Sequence, residues 1–473
     1  MDISVMSLSG EATNLSDSEI STFKKNFSGQ LLNKDDKDYN EARLIWNGMI
    51  DKHPALIARC KNSKDVSLAV KFAQNHNLLV SIRGGGHNVA GNAVCESGLM
   101  IDLSLMNNVS VNQKDMTAVV EPGCTLGNAD QATQKYGMVI PSGIVTSTGV
   151  AGLTLGGGFG WLSRKWGLTC DHLISTEVVT AEGEIIKTSS EENPDLFWGL
   201  KGGGGNFGIV TSFKFTLREI GPEVTGGLIL YKLDDTEKVL SFYNEFISTA
   251  PREVTIVLIY RYCPPAPFIK EEFHGKPVFG IGALYAGKPE KGMEILKPLK
   301  SFGSPVADII VPKPFVAHQA MLDAGQPKGA CYYWKSEYLK EIPQALSSKF
   351  VEQTFNMSST ASIIGAFQLG GAITDIGEED TAYSFRDAGY AININTQWPK
   401  NSDSEKHLSW ARKTQQLAAP YSMGSGYINF ASSDETQERV AATYGVKKYK
   451  RLVDLKRKYD PDNFFRLNQN IKP

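Results

Sequence analysis

Hydrophobic and polar residues alternate with changing period along the chain, and each change predicts a new element. The stretch "NSKDVSLAVKFAQNHN" has apolar residues at the spacing of one helix face, at Val66, Ala69, Val70 and Ala73. Ser63 is the predicted N-cap of this helix. The apolar run "LLVSIR" that follows is typical of a buried strand. An earlier helix is predicted over "SDSEISTFKKNF".

Further along, strand and helix patterns continue to alternate. The segment "STEVVTAEGEIIKTSS" predicts a hairpin, "NPDLFWGLKG" a short helix, and "FGIVTSFKFTL" a long strand with period-two alternation. Two more strands are predicted in "GLMIDLSLMNNVSVN" and "TAVVEPG". This mixture indicates the α+β class.

The composition shifts near Gly221, after which prolines become frequent. Strand-like runs such as "VTIVLIYRY", "PVFGIGALYA" and "YAININTQW" then predict a sheet, with helices near 235–248, 344–356 and 403–418. We therefore expect a first domain over 1–221 with its core at about 52–221, a second α+β domain over 222–425, and a C-terminal segment over 426–473. Within that segment, the tail from Val446 onward begins as a helix whose predicted buried face is Val446, Tyr449, Leu452, Val453 and Tyr459.

Composition narrows the function classes. The chain has 473 residues with 49 Lys and Arg against 51 Asp and Glu, a formal net charge of −2. This balance argues against a nucleic-acid or membrane-surface partner. The six cysteines are widely spaced, which argues against a metal site or a disulfide framework. Without a signal-peptide pattern or a long apolar run, we expect a cytoplasmic protein.

Glycine is the unusual feature, with 45 residues concentrated in three clusters. They are "SIRGGGHNVAG", "GVAGLTLGGGFG" and "KGGGGNFGIV". The third contains G-x-G-x-x-G, but a dinucleotide site needs that motif between a strand and a helix, and here the order is reversed. No P-loop motif is present. Three loops of bare backbone indicate one extended, phosphate-bearing ligand.

The ordered motifs resemble a known family. "SIRGGGHNVAG" with "MIDLSLMN", "GVAGLTLGGGFGWLSRKWGLTCDHL", "LFWGLKGGGGNFGIVTSF" and "YDPDNFFRLNQNI" are similar to the FAD-linked oxidases related to berberine bridge enzyme and 6-hydroxy-D-nicotine oxidase. The likeness is collinear from about residue 54 onward and weakest over 223–380. It implies the two-domain PCMH-type FAD-binding fold, α+β, with an antiparallel-sheet substrate domain.

The resemblance also implies a covalent cofactor. His87 stands where the family attaches the 8α-methyl group of FAD, whereas a lone histidine in a turn would otherwise be structural. The position of a second, cysteinyl link is Val145, and Cys170 lies too late in the chain, so a single link is expected. The other predicted FAD-binding residues are Arg83, Gly84, Gly85, Gly86, Asn88, Gly91, Thr146, Thr148, Gly149, Gly152, Gly157, Gly158, Gly160, Asp171, Gly208, Val210 and Asn468. No metal is expected.

The same likeness suggests the reaction. It implies an oxidase that removes hydride from a C–OH or C–NH carbon of a small or medium substrate and reduces dioxygen to hydrogen peroxide. Thr148 matches a position that controls oxygen access in relatives, and its size favours an oxidase. The alternatives are a flavin dehydrogenase with another electron acceptor and a flavin-binding protein without turnover. Sugars, alkaloid-like amines and polyketide intermediates all remain possible substrates, and the oligomeric state stays open.

Catalytic candidates come from two segments. In "YAININTQW", alternation along a strand puts Ala391, Asn393 and Asn395 on one face, where Asn393 could hold a substrate hydroxyl. In "GYINF", Tyr427 and Asn429 would point the same way on a strand. Tyr427 could act as a base if its pKa fell from about 10, or could simply pack by its ring.

Arg386 is a further candidate near the domain junction. It could pair with the adjacent Asp387 or bind an acidic substrate.

Overall fold

The computed structural model describes residues 2–473. Its first half begins with short strands and helices that alternate along the chain. The strands are β1 (Ile3–Met6), β2 (Ala12–Leu15), β3 (Gln30–Leu32), β4 (Leu56–Arg59), β5 (Val80–Arg83), β6 (Leu99–Asp102), β7 (Val109–Asn112), β8 (Thr117–Val120), β9 (Met138–Val139), β10 (Leu173–Val179), β11 (Ile185–Ser189), β12 (Ile209–Thr216) and β13 (Arg218–Glu219). The helices are α1 (Asp17–Asn26), α2 (Tyr39–Arg43), α3 (Ser63–Asn75), α4 (Leu126–Gln134), α5 (Val150–Leu155), α6 (Ser163–Trp166) and α7 (Pro194–Leu200).

Two sheets organise this half. The first sheet has the strand order β3-β4-β6-β5, and its strand β6 runs parallel to both neighbours. The order β11-β10-β12-β8-β7 forms the second, which is antiparallel and contains the predicted hairpin β10–β11. The first glycine cluster directly follows β5, so the sheet fixes where that loop begins.

Helix α3 shows how local sequence sets these elements. Its predicted apolar face is fully buried, with Val66, Ala69, Val70 and Ala73 at 0% exposure. The predicted N-cap is wrong by one residue. The Asn62 side chain, rather than that of Ser63, accepts the Asp65 N–H, which leaves Ser63 as the first helical residue.

The second half is built on one antiparallel sheet of eight strands, in the order β17-β14-β16-β15-β20-β21-β19 with β18 also paired to β14. The strands are β14 (Glu223–Lys232), β15 (Val254–Tyr262), β16 (Pro277–Tyr285), β17 (Ala307–Asp308), β18 (Val311–Pro314), β19 (Cys331–Leu339), β20 (Ile363–Gln368) and β21 (Tyr390–Trp398). The helices are α8 (Thr236–Thr249), α9 (Pro289–Ser301), α10 (Phe315–Gln319), α11 (Gln344–Phe355) and α12 (Glu405–Ala418). Three of these agree with the predicted helices, and the α+β class is confirmed.

The two faces of this sheet differ. One face is apolar and joins the helices in a continuous core, to which Leu258, Ile364 and Ile394 contribute from the strands and Phe350 and Trp410 from the helices. The alternate residues of the same strands face the first half of the chain instead. The cavity described below lies on that second face.

The C-terminal tail returns to the first half. Helix α13 (Gln437–Tyr459) contains a break at Gly445, where φ is +71°. Lys456 is fully buried and donates to the carbonyl of Asn206 and to Asp460. The predicted buried face holds at Leu452 and Tyr459 but is wrong at Val446, which is 92% exposed because it directly follows the break.

Two further findings concern local structure. The predicted strand at "GYINF" is wrong, because residues Ile428–Phe430 form a single 3-10 turn. Among residues 2–473, none of the helices has the length and apolarity needed to cross a bilayer.

Candidate active site

A cavity of about 730 Å³ lies between the glycine loops and the open face of the large sheet. The first half contributes the loop that follows β5 and the segment around α5. The sheet contributes alternate residues of β15, β20, β21 and β19, and the segment after α12 closes one end. Among the predicted site residues, the lining includes Gly84, Gly85, Gly86, His87, Asn88, Thr148, Gly149, Gly152, Asn393, Tyr427 and Asn429.

His87 occupies a dry, aromatic position in this lining. Its ring stacks on Trp46 with centroids 4.1 Å apart, and Trp46 stacks in turn on Tyr332 at 3.7 Å. Burial lowers the pKa of His87 to about 4, so the imidazole is neutral at physiological pH. Its Nε2 atom is buried without a hydrogen-bond partner. A neutral, unpartnered ring nitrogen in a cavity is available as a nucleophile.

The glycines beside His87 have two separate reasons to be glycine. Loop packing is one: a Cβ on Gly85 would lie 2.4 Å from the Cα of Gly149, so the first two clusters touch backbone to backbone. Gly86 adds a left-handed φ of +68°. Gly152 is different, because an added Cβ would meet no atom within 4 Å although the residue lines the cavity. Its bare backbone faces open space large enough for a ligand.

The sheet face carries polar atoms with unused hydrogen-bonding capacity. Asn393 and Asn395 are 5% and 6% exposed and lie on the same face, as predicted. The Asn393 Nδ2, the Asn395 Oδ1 and the Trp334 Nε1 are buried without partners. Buried polar groups are normally paired, so these atoms indicate that a polar ligand completes the site.

The Tyr427 hydroxyl lies at the other end of the cavity. It accepts hydrogen bonds from the Gly158 N–H at 3.0 Å and from the Asn429 Nδ2 at 2.8 Å. Asn429 is itself held by the Leu153 carbonyl at 3.2 Å. Burial raises the pKa of the Tyr427 phenol above its usual value, and the two donated hydrogen bonds oppose this rise only in part. The protein by itself therefore does not lower the pKa of Tyr427, as a base at neutral pH would require.

The remaining predicted cofactor residues lie outside the lining, and several have structural partners. They are Arg83, Gly91, Thr146, Gly157, Gly158, Gly160, Asp171, Gly208, Val210 and Asn468. Arg83 faces Asp102 and the carbonyl of Ala42. Thr146 donates to Asp323, and Asn468 donates to the carbonyls of Gly205 and Phe465.

Asp171 shows the clearest departure from expectation. It forms a buried two-point ion pair with Arg386, with N···O distances of 2.7 and 3.1 Å and side-chain exposures of 4% and 3%. The predicted pairing of Arg386 with Asp387 is wrong, because Asp387 pairs with Lys340. The hypothesis that Arg386 binds an acidic substrate also fails, since its charge is already neutralised by Asp171.

Several residues that line the cavity or pack against its lining were missed in the sequence. Trp46 stands alone in an irregular segment, so no pattern could identify it. Trp334 could have been found, because successive side chains of β19 point to opposite faces of the sheet. Residue 333 packs in the core beneath the helices, so residue 334 faces the cavity. The loop Pro264–Phe268, Gln326 and Arg261 are the others that matter below.

The site fits an FAD group by its own chemistry. His87 offers a neutral nitrogen, Gly152 leaves space beside a helix start, and the sheet face supplies unpaired donors and acceptors. The cavity is apolar for the most part, as expected for a flat aromatic ring system.

Comparison with known proteins identifies matching families. The family described as "FAD binding domain" matches residues 54–189, and that described as "Berberine and berberine like" matches residues 426–472. An FAD-linked oxidoreductase of Dictyostelium discoideum is 33% identical over 459 residues, which cover 96% of this chain and 97% of the relative.

Solved structures agree with this assignment. The 6-hydroxy-D-nicotine oxidase of Arthrobacter nicotinovorans superimposes with a TM-score of 0.84 at 25% identity, covering 94% of this chain and 98% of that one. The carbohydrate oxidase of Microdochium nivale gives a TM-score of 0.84 at 26% identity, covering 96% and 99%.

Proposed function

Because the chain belongs to the FAD-linked oxidoreductases related to berberine bridge enzyme and 6-hydroxy-D-nicotine oxidase, we propose that it is an oxidase with FAD bound covalently to His87. The observation that carries this proposal is the neutral, buried and unpartnered His87 nitrogen in the wall of the cavity. The stack on Trp46 holds the ring in one orientation, which favours attack at a fixed point.

A single covalent link is proposed. Val145 lines the cavity but offers no nucleophile. Cys170 is fully buried outside the lining, and burial raises the pKa of its thiol well above the usual value. A protonated, enclosed thiol is unreactive.

The FAD would supply the hydride acceptor for oxidation of a C–OH or C–NH carbon. We assign the protein's share of the chemistry to four residues. Asn393 donates its free Nδ2 hydrogen to the substrate oxygen or nitrogen. Tyr427 takes the substrate proton, and the Gly158 and Asn429 donors stabilise the phenolate that carries out this step.

Dioxygen is the proposed electron acceptor. Thr148 lines the cavity beside Gly149, and its small side chain would leave room for oxygen next to a bound flavin. The substrate is proposed to be a small or medium alcohol or amine, the kinds of compound named for the nicotine and carbohydrate oxidases. A cavity of about 730 Å³ has to hold this molecule together with the flavin ring.

Two organisational proposals accompany this function. We propose that residues 1–221 and 426–473 form the FAD-binding unit and residues 222–425 the substrate unit. The buried contacts of Lys456 with Asn206 support the first assignment. A cytoplasmic location is also proposed, in keeping with six buried cysteines that form no disulfide among the described residues.

The test is acid precipitation of the purified protein. Yellow colour should stay with the wild-type pellet and move to the supernatant for His87→Ala. His53→Ala, at an exposed position, is the control and should behave as wild type. Colour released from the wild type would contradict the covalent bond. Hydrogen peroxide formed on substrate addition identifies the oxidase, whereas reduced flavin that air does not reoxidise indicates a dehydrogenase.

A further inference from the structure

Arg261 is a charged side chain inside an otherwise apolar part of the cavity. It is the last inward-facing residue of β15, after Val257 and Ile259, which line the same wall. The apolar residues of the loop Pro264–Phe268 and Ile363 line the same cavity. Burial lowers the pKa of the guanidinium, but an arginine starts so high that the group stays charged at neutral pH.

This charge has no counter-ion in the protein. Among residues 2–473, the only hydrogen bond that the Arg261 side chain donates runs from Nε to the Tyr262 carbonyl at 3.0 Å. The described ion pairs do not include it, and the described cavity lining contains no Asp, Glu or Lys. Both terminal nitrogens of the fork are therefore free. Arg261 is only partly buried, but a charge that lacks a counter-ion in a mainly apolar wall is stabilised when a ligand supplies the opposite charge.

The position of Arg261 separates it from the cofactor residues. Arg261 belongs to the large sheet, opposite the glycine loops and Gly152, where we place the FAD. On the sheet it pairs with Ile363 of β20, which pairs with Asn395 of β21. Asn395 donates to the Gln326 side chain at 3.2 Å and keeps an unpartnered buried Oδ1. A row of polar atoms thus extends from Arg261 across the substrate side.

We propose that the substrate of this oxidase carries a carboxylate group, which the two free terminal nitrogens of Arg261 bind as a two-point pair. The proposal rests on the oxidase function above and specifies its substrate class. A planar guanidinium matches a carboxylate in this geometry better than any other side chain does. The flanking prolines and Phe268 then enclose the part of the substrate beside the carboxylate.

The sheet register sets the size of this molecule. Asn393, which we assign to the reacting group, lies on β21, two strands away from Arg261. It is two residues along β21 from Asn395, which is in register with Arg261. With strands about 4.8 Å apart and a rise of about 3.3 Å per residue, the two Cα atoms are about 12 Å apart. Both side chains project from the same face of the sheet, so a substrate that contacts both has to span a distance of this order.

The experiment compares benzoate with benzamide, which have nearly the same shape and differ in charge. Each is titrated into the flavin-loaded protein, and the dissociation constant is read from the change in flavin absorption. Wild type should bind benzoate about tenfold to a hundredfold more tightly than benzamide, the range for a charge-assisted pair. Arg261→Gln should remove that preference, and Arg261→Lys should restore only part of it. Arg252→Gln, which removes an exposed arginine, should leave it unchanged.

Each other result overturns the proposal. Equal binding of the two probes, no binding of either, or benzoate binding that survives Arg261→Gln would mean that Arg261 does not select a carboxylate. Tighter binding of phenyl phosphate than of benzoate would reassign the anion to a phosphate ester. Failure of the oxidase function itself is recognised separately, because the purified protein would then lack flavin or show no flavin reduction with any alcohol or amine.

Discussion

Opposing influences act on the hydroxyl group of Tyr427. Burial among Phe159, Phe430 and the glycine turn favours the neutral phenol, and two donated hydrogen bonds favour the phenolate. Burial is the larger effect, so the phenol keeps its proton at rest. If Tyr427 is the base, only the small deprotonated fraction is active, and that fraction grows with pH.

This gives a pH prediction for the wild type and Tyr427→Phe. Because the pKa of Tyr427 is raised, the rate of flavin reduction should climb by about tenfold per pH unit towards alkaline pH without a plateau near neutrality. Tyr427→Phe should lower the rate by about a hundredfold to a thousandfold and flatten the profile. Anaerobic stopped-flow reduction measures both effects.

The control is Tyr449→Phe, which removes a phenol of α13 that lies outside the cavity. It should keep the wild-type profile. If Tyr427→Phe raised KM while the slope against pH stayed unchanged, Tyr427 would be a positioning residue and the base would lie elsewhere.

At the scale of elements, helix α5 and the residue before it place glycine backbone, without side chains, at the cavity. Gly149 precedes it and touches Gly85, while Gly152 faces open space. In the protein without a ligand, Gly152 therefore has room for a side chain and Gly149 does not. Replacing it should disturb the ligand and leave the fold intact.

The prediction concerns Gly152→Leu and Gly152→Ala. Leucine should lower flavin content by about tenfold, since overpacking a filled site costs about 1–3 kcal/mol. Alanine should have a smaller effect of the same sign. Flavin absorbance per protein and the thermal midpoint of the flavin-free form measure this. A wild-type flavin content in Gly152→Leu would show that the cofactor does not approach α5.

Sequence patterns predicted the elements with regular periods. The α+β class, the family, the β10–β11 hairpin and the helices α8, α11 and α12 are confirmed. Single-turn features were beyond reach: "GYINF" alternates like a strand, but the Phe430 N–H bonds back to Tyr427 and closes a 3-10 turn. Arg261 was also missed, because its unpaired state depends on which residues surround it in space.

The assignment of individual cofactor residues stays a prediction. Asp171 and Arg83 stand inside the strings that resemble the family's motifs, yet both side chains are engaged in ion pairs of the protein itself. Whether a residue in a motif faces a ligand or a neighbour depends on the packing of distant segments. Asp171 meets Arg386 across 215 positions of sequence.

At the scale of the whole molecule, that ion pair ties the middle of the chain to the first half. The two terminal nitrogens of the Arg386 guanidinium also donate to Thr381 and to the Ile373 carbonyl, whereas its Nε is buried without a partner. Removal of one partner would leave an unpaired buried charge, which is much more costly than loss of a surface pair.

Asp171→Asn should therefore lower the free energy of unfolding by about 3 kcal/mol, with little change in flavin content per folded molecule. Urea unfolding measures the first quantity and absorbance the second. Asp375→Asn breaks an exposed Arg–Asp pair with Arg252 and should change neither. Loss of flavin at unchanged stability would instead return Asp171 to the cofactor site.

The closing contacts of the tail have a consequence for synthesis. Tyr427, Asn429 and Phe430 line the cavity, and the Lys456 side chain is satisfied by Asn206 and by residues close to the C-terminus. A growing chain has therefore made all three glycine clusters and the entire large sheet before the wall of its cavity is complete. Folding of the earlier segments can begin on the ribosome, since N-terminal units fold first. The covalent attachment that we propose for His87 then has to wait until residues 426–473 have been translated and have closed the cavity.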